Sequence, residues 1–229
     1  MSKRLLRLFL VISIALLVVA LLVLLCLYLA AQYEPAFYRE ALEADPAEQE
    51  RASDQMLQQA TALASALKKE GRWEAAITAE QINGWLAVDM VKNHPNALPP
   101  TLRDPRVTIG PSAITVACRF EQDGQSSVIS LTVEPYMSEP NVLALRIVKA
   151  RAGLLPMPLG KIFDRLSQAA RDMQLHLEWR QAGGHPVALL TLPAAEDNGR
   201  QVRIETLRLG DGEIYLAGST EKGEKGVGP

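Results

Sequence analysis

The chain has 229 residues, 48% of them hydrophobic and 22% charged, with 24 Lys and Arg against 26 Asp and Glu for a formal net charge of −2. That balance carries no electrostatic footprint for nucleic acid or for anionic headgroups. Two cysteines, Cys26 and Cys118, exclude a disulfide framework, so stability must come from apolar burial.

From Leu8 to Ala31 there are 24 residues without a charged side chain. At about 1.5 Å per residue such a helix reaches roughly 36 Å, enough to cross a hydrocarbon core of about 30 Å. Lys3, Arg4 and Arg7 precede it, and no cation follows until Arg39. Positive residues stay inside, which predicts a cytoplasmic segment 1–7, a transmembrane signal-anchor at 8–31 and an extracytoplasmic remainder. A cleaved signal peptide fits less well, because its apolar region is shorter and Leu29-Ala30-Ala31 is a poor cleavage site. Cys26 lacks the small preceding residue of a lipoprotein signal and reads as filler of the span. Tyr28 and Tyr33 suit the outer interface.

Residues 32–72 read as a juxtamembrane segment and a long helix. Asp45-Pro46-Ala47-Glu48 supplies an N-cap, a proline at the first helical position and a reaching-back glutamate. Met56, Leu57, Ala60, Leu63, Ala64 and Leu67 form its expected buried stripe, and Gly71 its stop. A short strand over Glu74–Ile77 leads to a capping box at Thr78 and Gln81. The helix it opens carries Ile82, Trp85, Leu86 and Met90 before Asn93-His94-Pro95 ends it. Residues 96–105 hold Pro99, Pro100 and Pro105 and read as a loop.

From Arg106 the period is two. Ile114, Val116, Cys118 and Phe120 alternate with Thr115, Ala117 and Arg119, which makes Cys118 a buried structural thiol. Asp123-Gly124 turns the chain into Val128–Val133, and Asn141–Ala150 follows as a third strand. Gly153–Pro158 breaks the sheet and starts a helix whose Leu159, Ile162, Phe163, Leu166, Ala170 and Met173 share a face. Four strands follow: Leu175–Arg180, Val187–Leu192, Val202–Leu209 and Ile214–Gly218. Turns at Gly183-Gly184, Asn198-Gly199 and Gly210-Asp211-Gly212 join them. The apolar phase changes between Ile204 and Leu207, which a bulge near Glu205-Thr206 reconciles. Residues 220–229, rich in Gly, Lys and Glu, read as a disordered tail.

The expected fold is α+β, an antiparallel meander at 73–219 interrupted by an amphipathic helix. Catalytic constellations are missing from the sequence. His94 and His185 precede prolines at turns, and His176 shares a wet strand face with Glu178 and Arg180. None has the spacing of a zinc helix, and GxSxG, GxGxxG and a P-loop are absent. Glu196-Asp197 reads as a solvated loop pair. Lys161, Arg165 and Arg171 are interleaved with Asp164 and Asp172, which describes a mixed solvated face. No cofactor or metal is expected.

Two stretches go beyond periodicity. Ile77-Thr78-Ala79-Glu80-Gln81-Ile82-Asn83-Gly84-Trp85-Leu86 resembles a segment of YceB-like bacterial envelope proteins. Arg151-Ala152-Gly153-Leu154-Leu155-Pro156-Met157-Pro158 is similar to the sheet-to-helix junction of YpmS-like membrane-anchored proteins. Both groups are similar to tubular lipid-binding (TULIP) proteins, in which a curved antiparallel sheet wraps an amphipathic helix. The long helix at 46–70 and the transmembrane anchor depart from the YceB-like pattern. The resemblance implies a non-enzymatic protein that binds or shuttles an apolar ligand, a membrane lipid, at the cell envelope. Ile82, Trp85, Leu86, Ile162, Phe163 and Leu166 would line its interior. The alternative is a structural envelope module with a packed core, its first helix docking an envelope protein partner or a second copy.

Overall fold

The uncharged run folds as a single helix, α1 (Lys3–Ala31), since a backbone clothed in apolar side chains must satisfy its own N–H and C=O groups. The computed structural model describes residues 3–122, 124–172, 174–192, 196–197 and 200–222. In it every α1 side chain from Ile14 to Leu29 stands exposed. By length and composition α1 is compatible with a single-pass anchor.

A helix the sequence reading missed follows, α2 (Ala36–Glu43). Eight residues without a side-chain cap do not hold a helix alone. Tertiary packing holds it: Tyr38 is fully buried with Ala117 and Val128, and Phe37 and Leu42 pack around them. Next comes α3 (Pro46–Leu67), where Asp45 accepts from the amides of Ala47 (2.8 Å) and Glu48 (3.3 Å). The side chain that reaches back is Gln49, donating to the Ala44 carbonyl at 3.1 Å. At the other end, Thr220 Oγ1 donates to the Leu67 carbonyl and Arg200 Nη1 to that of Lys68, at 3.2 and 2.6 Å. Distant strands therefore cap this helix, and Gly71 opens the next strand.

The remaining elements are β1 (Gly71–Thr78), α4 (Ala79–Ala87), α5 (Asp89–Asn93), β2 (Leu102–Ile109), β3 (Ile114–Gln122), β4 (Gln125–Glu139) and β5 (Val142–Ala152). They continue with β6 (Leu155–Pro156), α6 (Gly160–Asp172), β7 (His176–Ala182), β8 (His185–Thr191), β9 (Glu196–Asp197), β10 (Arg200–Leu209) and β11 (Glu213–Lys222). Two sheets result: a four-stranded one ordered β1-β11-β10-β9 and a seven-stranded one ordered β2-β3-β4-β5-β8-β7, with β6 paired to β5. Every pairing among the described residues is antiparallel. The protein is α+β with an N-terminal apolar helix.

Two joints tie the sheets together. The Gly212 amide donates to the Ile109 carbonyl at 2.9 Å, and the Asn141 amide to that of Ile204 at 3.0 Å. Asn141 adds its side chain, accepting from the Ile204 amide at 2.6 Å and donating to the Val202 carbonyl at 3.0 Å. These bonds fall beside the expected bulge, where the β10–β11 register shifts between Ile204 and Thr206.

Six expectations need correction. Leu57, Ala60 and Ala64 point outward, and α3 buries Ser53 and half-buries Ala52, Met56, Leu63 and Leu67. The reason is α4: a Cβ on its Gly84 would lie 2.6 Å from the Ser53 nitrogen and 2.7 Å from Ala52 Cβ and the Gln49 carbonyl oxygen. Close approach selects the small and polar side of α3. Residues 102–105 belong to β2; Pro105 is tolerated because β2 is an edge strand, with a register shift between Arg103 and Arg106. The second helix breaks at Val88 into α4 and α5. Glu196-Asp197 pairs with Arg200-Gln201 as a strand rather than forming a loop. On β3 the best-buried residue is Ala117, beneath α2, whereas Val116 is exposed. The expected disordered tail begins too early: residues 220–222 continue β11, and Thr220 is buried against the end of α3. The Asn198-Gly199 turn, Asp123, Met173 and residues 223–229 lie outside the described residues.

Candidate functional site: an apolar sheet face beside the end of α1

Directly paired strand residues share a face. Across the seven-stranded sheet the registers place Val107 opposite Val116, Val116 opposite Leu131 and Leu131 opposite Ala150; beyond a register shift on β5, Pro135, on the same side of β4 as Leu131, lies opposite Leu145, Leu145 opposite Ala188, and Ala188 opposite Trp179. One face is thus apolar from the β2 edge to the β7 edge. The other carries the Thr115–Thr132 hydroxyl pair (3.0 Å), the Arg146–Glu134 ion pair (3.1 Å) and the Arg180–Glu178 ion pair (2.9 Å). Arg180 grips Glu178 through two bonds in the open and holds its carboxyl below the usual range. This matches the wet strand face expected there.

Cover on the apolar face is uneven. Val107, Ile147, Ala150 and Ala188 are buried, whereas Cys118, Phe120, Ile129, Leu131 and Leu145 are only half-buried. Val116 is 42% exposed. Burial pushes the Cys118 thiol up to about 11, so this side chain behaves as an apolar, unreactive part of the surface.

The strip along β3 leads to the end of α1. A cavity of about 430 Å³ at its end is lined by Phe120, Ser127 and Ala152 of the sheet and by Tyr28 and Ala31 of α1. There the helix is bonded to the domain. The Leu154 amide donates to the Ala30 carbonyl and Ser127 Oγ to the Ala31 carbonyl, both at 2.8 Å. Just beyond, Glu34 pairs with Arg119 at 3.1 Å. Gly153 sits at φ +57°, and a Cβ there would collide with the Ala30 and Ala31 carbonyls. The last carbonyls of a helix have no intrahelical partner; here the sheet supplies donors for two of them.

The expected lining residues fall into two groups at opposite edges of this sheet. Ile82, Trp85 and Leu86 are half-buried on α4, which packs on α3 and β2; the Trp85 ring lies 6.1 Å from that of His94. Phe163 and Leu166 are half-buried on α6, which packs on β7, while the Ile162 side chain lies outside the described residues. The Phe163 ring sits 4.4 Å from Trp179, whose Nε1 donates to Ser167 Oγ at 2.9 Å. Trp179 is on the apolar face, so α6 covers its β7 end. The strand-borne residues between the groups, Val116, Cys118 and Phe120 of β3 and Leu131 of β4, are legible in the sequence as apolar strand positions, and nothing in that pattern marks them as a site. Among the described residues no group of three or more His, Cys, Asp or Glu is placed to hold a metal ion.

Comparison with known proteins gives no matching family model, no matching curated protein and no matching solved structure.

Proposed function

We propose that this protein is a membrane-anchored, extracytoplasmic binding protein. Its half-open sheet face takes an apolar ligand, the acyl chain of a membrane lipid, beside the anchor. The observation that carries the reading is Val116: it stands 42% exposed on a six-strand apolar surface that runs to the end of α1. Each methylene buried there is worth about 0.8 kcal/mol, so broad lipid affinity needs no headgroup reader. Register shifts between β4 and β5 favour local bending of these strands, which supports the curved-sheet reading. Retention of α1 is supported by Gly153, whose missing Cβ makes room for the carbonyls of Ala30 and Ala31. Lys3, Arg4 and Arg7 orient the domain outward.

The test uses the full chain in bilayer nanodiscs holding a phospholipid with a diazirine midway along one acyl chain. After irradiation and digestion, labelled peptides are expected from β3 and β4 as well as α1, with the β3 label lost in Val116→Arg. Label confined to α1 would sink the reading.

A second reading has its own observation. Leu57 is 41% exposed on α3, with Ala60 and Ala64 also outward on that helix. This row suits docking of a partner helix, as a scaffolding module requires. Crosslinking through Gln58→Cys in membranes distinguishes the two, since a scaffold gives a crosslinked pair and a solitary lipid carrier does not.

A further inference from the structure

The turn between β5 and α6 has no charged residue from Ala152 through Gly160 and reads Leu154-Leu155-Pro156-Met157-Pro158-Leu159 at its centre. Such a run at a protein surface is unusual, and Leu154 at its tip is 47% exposed. Position makes it informative. The Leu154 amide is bonded to the Ala30 carbonyl, so this turn sits at the depth of the last turn of α1. A 24-residue span is longer than the hydrocarbon thickness, which leaves Ala30 at the boundary between acyl chains and headgroups. Tyr28 and Tyr33, both exposed, bracket that level with rings that favour it.

We propose that the Leu154–Leu159 turn is a second membrane contact, a foot that inserts into the bilayer surface next to α1. Its partner is the lipid bilayer that holds the anchor. The foot rests on α1 being retained. It holds the domain at one height and tilt, with the cavity at Phe120 and Tyr28 at the lipid surface.

The experiment reads the depth of single nitroxide labels on the full chain in phosphatidylcholine vesicles, on a Cys26→Ser, Cys118→Ala background. Labels are placed by Leu29→Cys, Leu154→Cys and Ser112→Cys. Ser112 lies in the turn at the far end of β3, roughly 25 Å from the anchor junction at strand rise. Collision with oxygen rises in lipid, and collision with a nickel chelate rises in water. Positions 29 and 154 are expected to show a several-fold higher oxygen-to-nickel ratio than position 112. An aqueous label at 154 with an immersed label at 29 overturns the foot and leaves the anchor standing. Shielding of 154 from both reagents means that protein covers the turn, and also overturns it. An aqueous label at 29 overturns foot and anchor together.

Discussion

Asn83 and Val107 exchange two hydrogen bonds: Nδ2 of Asn83 donates to the Val107 carbonyl at 2.8 Å, and the Val107 amide donates to Oδ1 at 2.7 Å. A side-chain amide on α4 thereby stands in for the neighbouring strand that β2, at the sheet edge, does not have. It satisfies a backbone pair and blocks edge-to-edge association at this point. It also fixes α4, and with it Ile82, Trp85 and Leu86, against the seven-stranded sheet.

Asn83→Ala removes both bonds and leaves the part-buried Val107 amide and carbonyl without partners. The expected loss is about 2–4 kcal/mol, two bonds at about 1–2 kcal/mol each. Asn83→Asp keeps the acceptor but sets a carboxylate oxygen against the Val107 carbonyl oxygen, so it should be no more stable than Ala. Urea denaturation of the detergent-solubilised chain measures both; equal stability of all three would show that the pairing contributes nothing.

Gly84→Ala tests the contact that rotates α3. The added methyl would lie 2.6–2.7 Å from backbone atoms of Ser53 and Gln49 and from Ala52 Cβ, so the helices must separate. Overpacking of this kind costs about 1–3 kcal/mol. Glycine is otherwise a poor helix former, by about 1 kcal/mol against alanine. An exposed helical glycine would thus gain stability from this change, and the sign of the shift decides whether α4 touches α3 here.

Gly153→Ala is expected to detach the domain from α1. Both the left-handed backbone and the blocked Cβ position oppose it. Strain of this type costs roughly 1–3 kcal/mol, and the carbonyls of Ala30 and Ala31 would lose their donors. Hydrogen exchange at the Leu154 amide and proteolysis near residues 32–35 should both accelerate, while exchange at Ala117 beneath α2 stays slow. Unchanged exchange at Leu154 would contradict the junction.

The Cys118 thiol carries a pH dependence of known sign. Its pKa is raised to about 11 by burial, above the ordinary thiol value of 9.0. The unfolded chain releases this proton first as pH rises, so its contribution to stability is intact below about pH 9 and is lost progressively toward pH 11. On a Cys26→Ser background, Cys118→Ala should flatten that part of the stability–pH curve. Modification of Cys118 by an aqueous disulfide reagent at pH 8 should be slow until the protein is unfolded.

Much of the secondary structure is a property of short segments. Thr78 and Gln81 complete their capping box, with Thr78 Oγ1 accepting from the Gln81 amide at 3.2 Å and Gln81 Oε1 from the Thr78 amide at 3.0 Å. Asp45 caps α3, and the phase change at Ile204–Leu207 is a bulge. Each signal lies within a few residues of the structure it specifies. The β3 run of Ile114, Val116, Cys118 and Phe120 was equally legible as an alternation. What it did not carry was which parity would be buried, because both sides of β3 are used. Ala117 is sealed by Tyr38, 79 positions earlier in the chain, while Val116 stays open.

Composition and local pattern, then, determined an apolar N-terminal helix, an α+β domain after it and the places where its helices begin. Only the tertiary structure decided that α2 exists, that α3 turns its small residues toward Gly84, and that the end of α1 is bonded to the Gly153–Leu154 turn. Caps, turns and periodicity are settled by neighbours along the chain, where the competing conformations are few. Helix rotation, edge satisfaction and the cover of a sheet face depend on shape and hydrogen-bond complementarity between segments up to 153 positions apart, as for Leu67 and Thr220. Nothing in either segment read alone records that fit.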